Sequence, residues 1–125
     1  TVKDGVYNKA IFGPDKLIEL INKQMVYRYK VSATKHYVDK CRILYLPKNC
    51  YKAMIHGEII EAEVRNGSVV KIVTRMPNRR YMTEDICAAI LLHSEDFYDA
   101  KVKTVWTNQA DDNHSTIDVS NYIKS

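Results

Sequence analysis

This sequence of 125 residues lacks the features that mark several large classes of protein. None of its three cysteines (Cys41, Cys50 and Cys87) belongs to a Cys-x-x-Cys pair, which argues against both a zinc ribbon and a disulfide framework. No apolar run approaches the roughly 18 residues that a membrane-spanning helix needs. We therefore expect a domain without a membrane segment, whose thiols are reduced and partly buried.

The signatures of several catalytic mechanisms are missing as well. There is no glycine-rich loop to hold phosphates, no HExxH or EF-hand spacing to bind a metal ion, and no nucleophile elbow. Asp111, Asp112, His114 and Asp118 could supply oxygen and imidazole ligands, but one acidic turn is weak support for a metal site. We therefore predict no metal and no cofactor, and keep a metal-dependent deoxyribonuclease as the weakest alternative.

The net charge of +4 is modest, but the cations are concentrated in two segments. The first runs from Arg28 to Lys52 and contains a single acid, Asp39. A second cluster is formed by Lys71, Arg75, Arg79 and Arg80. Such segregation gives one face a positive potential that attracts phosphate polyanions. The simpler interpretation is that scattered lysines keep a small domain soluble.

The length predicts one domain with a single core, and the order of its elements predicts an α+β fold. Three helices are expected within about residues 1–57: from Pro14 to about Gln24, from Ser32 or Thr34 to about Cys41, and from Pro47 to a left-handed cap at Gly57.

Four strands are expected within about residues 58–125: 59–64, 69–75, 86–92 and 102–107. The first two are joined by the hairpin signal Asn66-Gly67. Residues 26–31 read as a short strand or connector, and a helix is the alternative for 86–92. We therefore predict N-terminal helices packed on a four-stranded antiparallel sheet.

The most informative segment is the last predicted strand with the polar turn after it. Val102 to Thr107 leads into Asn108, which opens a run of Asn, Asp, His, Ser and Thr residues through Asp118. A turn needs only one or two such residues for backbone reasons. The run is therefore either a functional site or a solvated loop.

Two histidines and a group of cations suggest RNA cleavage without a metal. In that reaction the 2′-OH attacks the neighbouring phosphate, and the protein supplies an acid, a base and cations. Histidine suits acid–base chemistry near neutral pH, and arginine holds phosphate oxygens through its planar fork. We take His36 and His114 as the acid–base pair, and Lys40, Arg75 and Arg79 as phosphate ligands.

Each assignment has a simpler alternative. His36 could merely cover a helix surface, and Arg75 could pair with Glu84 or Asp85. Trp106 could be a core residue, or it could stack on a base. A non-catalytic module that binds nucleic acid or protein would explain the same basic segments.

Five segments together resemble a known class of toxin: residues 35–40, 53–61, 70–75, 102–108 and 112–118. Their residues and order resemble the C-terminal nuclease domains of bacterial polymorphic toxins, including those of contact-dependent growth inhibition systems. These belong to the barnase–EndoU–colicin–RelE superfamily of metal-independent ribonucleases. The resemblance covers roughly residues 33 to 120, and the C-terminal block is its most specific part.

The resemblance implies catalytic roles for His36, Arg75, Thr104, His114 and Thr116. The substrate-binding residues that accompany this assignment are Lys40, Arg42, Arg79, Trp106 and Asn108. It also implies a toxin that is secreted or delivered from the producer's surface and that acts in the cytoplasm of a target cell. The expected partners are RNA (above all transfer RNA), an acidic immunity protein, and a host activating factor where one is needed.

Overall fold

The computed structural model describes residues 2–77, 84–94 and 99–109, and within them the chain forms four α-helices and a six-stranded mixed sheet. The helices are α1 (Lys9–Phe12), α2 (Pro14–Gln24), α3 (Lys35–Leu44) and α4 (Tyr51–Met54). The strands are β1 (Gly5–Asn8), β2 (Lys30–Ala33), β3 (Glu58–Arg65), β4 (Ser68–Pro77), β5 (Glu84–Ser94) and β6 (Asp99–Gln109). Single 3₁₀ turns lie at Val26–Arg28 and Lys48–Cys50.

The sheet has the strand order β1-β3-β4-β5-β6-β2. Its four central strands, β3 to β6, form the antiparallel meander that the sequence predicts. The α+β class is therefore confirmed. The prediction that the sheet contains only four antiparallel strands is wrong, because β1 and β2 extend it at its two edges.

Both edge strands come from the N-terminal part of the chain, where mainly helices were expected. The short strand or connector predicted at 26–31 is a 3₁₀ turn at Val26–Arg28 followed by β2, which begins at Lys30, whereas β1 was not predicted. Each edge strand has only four residues, which is too few for a clear alternation of apolar and polar side chains. Strand β1 pairs antiparallel with β3, and β2 pairs parallel with β6, about 70 residues further along the chain. All four described helices lie before residue 57, in the part predicted to be helical, but β1 and β2 place two strands of the sheet in the same part.

Side chains of the central strands alternate between the two faces of the sheet. One face carries Ile72, Ala88, Ile90, Val102 and Val105, all buried in the core that the helices share. Helix α2 packs on β3 and β4, and α3 packs on β6. Strand β5 lies between β4 and β6, as predicted for residues 86–92, so the helical alternative for that segment is wrong.

The first two predicted helices are confirmed. Helix α2 begins at Pro14, directly after Gly13, and ends at Gln24. Helix α3 follows Thr34, whose hydroxyl accepts a hydrogen bond from the Tyr37 N–H at 3.2 Å, and it continues to Leu44. The N-terminal cap was predictable because threonine satisfies one of the N–H groups that a helix leaves free at its start.

The third predicted helix is much shorter than expected, and the role predicted for Gly57 is wrong. A 3₁₀ turn at Lys48–Cys50 leads into α4, which ends at Met54. Gly57 does not have a positive φ, so it is not a left-handed cap. The backbone of β4 instead approaches it closely, and a Cβ added there would lie 3.0 Å from the Arg75 carbonyl oxygen.

The predicted hairpin between β3 and β4 is confirmed. Asn66 and Gly67 have φ values of 52° and 80°, as expected where two left-handed residues match the twist of the flanking strands. The N–H groups of Asn66 and Gly67 donate to the Asp4 carboxylate at 2.9 and 3.1 Å. These hydrogen bonds hold the pKa of Asp4 below its ordinary value of 3.8.

The cysteines are free thiols in the described residues, in agreement with the prediction. Cys41 and Cys87 are buried and Cys50 is half-buried. The Tyr37 hydroxyl lies 3.0 Å from Cys50 Sγ. Burial raises the pKa of the Tyr37 phenol, and its hydrogen bonds to the Cys41 and Cys50 thiols raise it further. Burial likewise raises the pKa of the Cys41 thiol.

The longest helix of the described residues is α2, with 11 residues. Within that part of the chain, no helix is long and apolar enough to cross a membrane.

Replacing Asp4 with asparagine should lower stability in a pH-dependent way. Because the carboxylate's pKa is lower in the folded state, it stabilises the fold above its unfolded pKa, and this contribution is lost as the pH falls through the folded pKa. We expect the variant to unfold at a lower urea concentration than the wild type at neutral pH. In acid, the wild type and the variant should unfold at the same urea concentration. A difference between their urea midpoints that does not change with pH would contradict this explanation.

Replacing Gly57 with alanine should cost about 1–3 kcal/mol, because the new methyl group overpacks a site closed by backbone atoms. Its Cβ would lie 3.0 Å from the Arg75 oxygen, 3.2 Å from the Met54 oxygen and 3.3 Å from Thr74 Cβ. Urea unfolding measures the loss. The exposed Lys52→Ala variant is the control and should change stability by less than about 0.5 kcal/mol. Unchanged stability of the Gly57 variant would contradict the close approach.

Candidate functional site

The site begins with a bulge in β6. Ala89 of β5 is opposite Thr104 and Ile90 is opposite Val102, so Lys103 is an extra residue in the β6 register. In a regular strand, residues three apart face opposite ways, yet Val102 and Val105 are both fully buried. The bulge reconciles these observations, and it leaves Lys103 exposed and Thr104 half-buried between the two valines.

Helix α3 starts beside this bulge. The parallel pairing of β2 with β6 ends with Ala33 opposite Val102. The next residue, Thr34, donates a hydrogen bond to the Val102 carbonyl at 2.8 Å, and the Lys103 carbonyl lies at 3.4 Å from the same hydroxyl. Thr34 thus joins the first turn of α3 to the irregular part of β6.

This arrangement brings together two of the predicted catalytic residues. His36, in the first turn of α3, places its Nε2 at 3.2 Å from Thr104 Oγ1 of β6. The two residues are 68 positions apart in the sequence. The imidazole is exposed, and its Nε2 can donate or accept depending on its tautomer, as the threonine hydroxyl can. The pair therefore combines a group that can transfer a proton with a polar group that can orient it.

Several cations lie around His36 and Thr104. Lys40 is one turn further along α3 on the same side as His36, and it is half-buried. Lys35 and Lys103 are exposed next to the two residues in the sequence. The N-terminus of α3 adds the positive end of a helix dipole. Together these three lysines outnumber Asp39, the single acid of α3, and an excess of positive charge attracts phosphate.

Arg42, also predicted to bind substrate, is not part of this cluster. It is exposed near the end of α3. Six positions separate it from His36, so at 100° per residue it lies on a different side of the helix.

Trp106 and Arg75 share the sheet face of Thr104. Thr104 and Trp106 are two positions apart on β6, and the register places Arg75, Cys87 and Trp106 side by side on three strands. This face is opposite the one that carries Val105 and the core. Two strand spacings separate β4 from β6, which is about 10 Å. Trp106 is half-buried, which fits neither a full core residue nor a freely exposed one.

Arg75 is engaged in an ion pair. Its Nε donates to Asp85 Oδ2 at 2.6 Å, and the two side chains are only 10 % and 20 % exposed. The alternative that Arg75 pairs with a neighbouring acid is therefore confirmed for Asp85. A guanidinium so far removed from water needs such a partner, and Asp85 offsets part of the charge that a phosphate would meet.

Three predicted residues lie outside the described part of the chain: Arg79, His114 and Thr116. The same holds for Asp111, Asp112 and Asp118 of the polar turn. Asn108 is a β6 residue whose Cα partner is Asp85. Within the described residues, no group of three or more His, Cys, Asp or Glu side chains could hold a metal ion.

Sequence reasoning missed three participants. Thr34 was predicted only as a helix cap, and neither Lys103 nor the bulge was expected. One signal was present: Val102 and Val105 are apolar residues three apart in a predicted strand, which breaks the period of two.

No protein-family model, no curated protein and no solved structure matches this chain.

Replacing Asp85 with alanine should destabilise the protein by about 2 kcal/mol, because Arg75 keeps its charge in a poorly hydrated place. The control is Glu63→Ala, which removes an ion pair of similar geometry, Arg65 Nε to Glu63 Oε2 at 2.9 Å. The Arg65 side chain is 72 % exposed, so this change should cost less than about 1 kcal/mol. If urea unfolding shows the same loss of unfolding free energy in both variants, the burial of Arg75 does not strengthen its ion pair.

Proposed function

We propose that this chain is a metal-independent endoribonuclease of the toxin type, with His36 and Thr104 in its active site. The observation that carries the proposal is the 3.2 Å contact between His36 Nε2 and Thr104 Oγ1. Both residues were assigned catalytic roles from the sequence, and they meet at the rim of the sheet although 68 positions separate them. An accessible imidazole with an oriented nitrogen among cations suits acid–base work on a phosphodiester.

The proposed reaction is an intramolecular transesterification. One histidine, His36 or His114, takes the proton of the 2′-OH as the O2′–P bond forms. The other gives a proton to the leaving O5′ as the P–O5′ bond breaks, which leaves a 2′,3′-cyclic phosphate and a 5′-OH. Lys40 and Lys103 stabilise the charge on the phosphorane oxygens. Thr104 orients the imidazole of His36 or donates to a phosphate oxygen.

Arg75 and Trp106 extend the proposed site across the sheet. Arg75 remains a predicted phosphate ligand, with its Nε already donated to Asp85. Trp106 follows Thr104 by two residues on β6 and faces Arg75 across β5. Its indole ring offers a surface on which a base can stack. Transfer RNA, an acidic immunity protein and action in a target cell's cytoplasm remain proposals that follow from the toxin resemblance.

The Arg75–Asp85 ion pair favours one alternative function. A phosphate clamp that acts in a transition state should present its charge to the substrate, whereas this cation is largely buried beside a carboxylate. A module that binds RNA through its exposed lysines without cleaving it would need no such clamp.

The test is incubation of the purified chain with total bacterial RNA in the presence of EDTA. Wild type should produce discrete fragments that end in 2′,3′-cyclic phosphate. His36→Ala and His114→Ala should lower the rate by at least about 100-fold, the usual contribution of general acid–base catalysis. Thr104→Val, which loses one hydrogen bond, should lower it by about tenfold.

The matched control is His56→Ala, which removes an exposed histidine beyond the end of α4 and outside this cluster. It should cleave RNA like the wild type. Full activity of His36→Ala would remove that residue from the mechanism. Intact RNA with salt-sensitive binding would favour the binding module, and cleavage that EDTA abolishes would favour a metal-dependent nuclease.

A further inference from the structure

Thr34 makes hydrogen bonds of two different kinds through one hydroxyl group. As an acceptor, its Oγ1 receives the Tyr37 N–H at 3.2 Å and caps α3. As a donor, it gives its proton to the Val102 carbonyl of β6 at 2.8 Å. The first bond shapes the helix, whereas the second joins the helix to the strand.

The second bond lies next to the proposed site on both of its elements. Thr34 precedes His36 by two residues on α3, and Val102 precedes Thr104 by two residues on β6. The core holds α3 through Tyr37 and Cys41, both fully buried, whereas His36 is exposed. The Thr34 bond therefore fixes the first turn of α3 against the strand at the level where His36 and Thr104 meet.

We propose that Thr34 is a positioning residue, whose hydrogen bond to the Val102 carbonyl sets the placement of the His36 imidazole relative to Thr104. It touches no reacting atom. This inference rests on the proposed ribonuclease function for its kinetic consequence, but the placement of His36 is a structural statement that can be tested separately.

Two substitutions separate the donor role of Thr34 from its capping role. Serine keeps both, because its hydroxyl donates and accepts. Ionised aspartate is a strong N-cap acceptor but has no proton to donate, so it keeps the cap and loses the bond to Val102. Asn8→Ala is the control, because Asn8, the last residue of the opposite edge strand β1, caps α1 by accepting from the Ala10 N–H.

The kinetic test compares these variants on RNA at the plateau of each pH–rate profile, so that a displacement of the profile along the pH axis is not counted as a change in kcat. Thr34→Asp should lower kcat by about 10- to 100-fold with little change in KM, as expected when a catalytic group is misplaced by a fraction of an ångström. Thr34→Ser should restore kcat to within about threefold of the wild type, and Asn8→Ala should lower Tm without lowering kcat. Equal kcat for the aspartate and serine variants would overturn the proposal.

The structural test does not need catalysis. The imidazole ¹⁵N resonances of His36 report its hydrogen bond to Thr104, and they should move in Thr34→Asp as they do in Thr104→Val, while remaining in place in Thr34→Ser. Unmoved resonances in Thr34→Asp would overturn the positioning role. If the wild type cleaves no RNA but these shifts occur, the proposed function fails while the placement of His36 by Thr34 stands.

Discussion

The bulge at Lys103 is the constraint on which the candidate site depends. A strand that buries both Val102 and Val105 in one core cannot keep a strict two-residue alternation, because residues three apart would then face opposite ways. The extra residue resolves the conflict, and it turns Thr104 away from the core at the place where α3 begins. The burial of two valines and the outward direction of Thr104 are thus consequences of the same irregularity.

The site therefore combines a local interaction with a long-range one. The cap at Thr34 is local, and its threonine would form it in an isolated helix as well. The bond from the same hydroxyl to Val102 exists only because β2 lies parallel to β6 and delivers α3 to the bulge. This connection explains how an exposed histidine, which the core does not hold directly, meets a defined partner on the sheet.

The predictable parts of the fold were those whose cause is local. Helix α2 starts at Pro14, and the hairpin turns at Asn66 and Gly67 because those residues tolerate positive φ. The parts that were missed or only partly predicted depend on contacts with distant segments. The edge strand β1 was not predicted and β2 only in part, because both are short and are stabilised by pairing with β3 and β6. Gly57 is required by the approach of β4 rather than by the end of a helix.

By itself, the sequence determined which chemical groups are present: an imidazole on a basic helix, a strand that ends in polar residues, and cations in separate segments. It also determined the α+β class, because periodicity and turn residues act over short distances. Only the tertiary structure decided that His36 meets Thr104 and that Arg75 is held by Asp85. Those pairings depend on strand register and on one bulge, and both are set by packing between segments far apart in the chain.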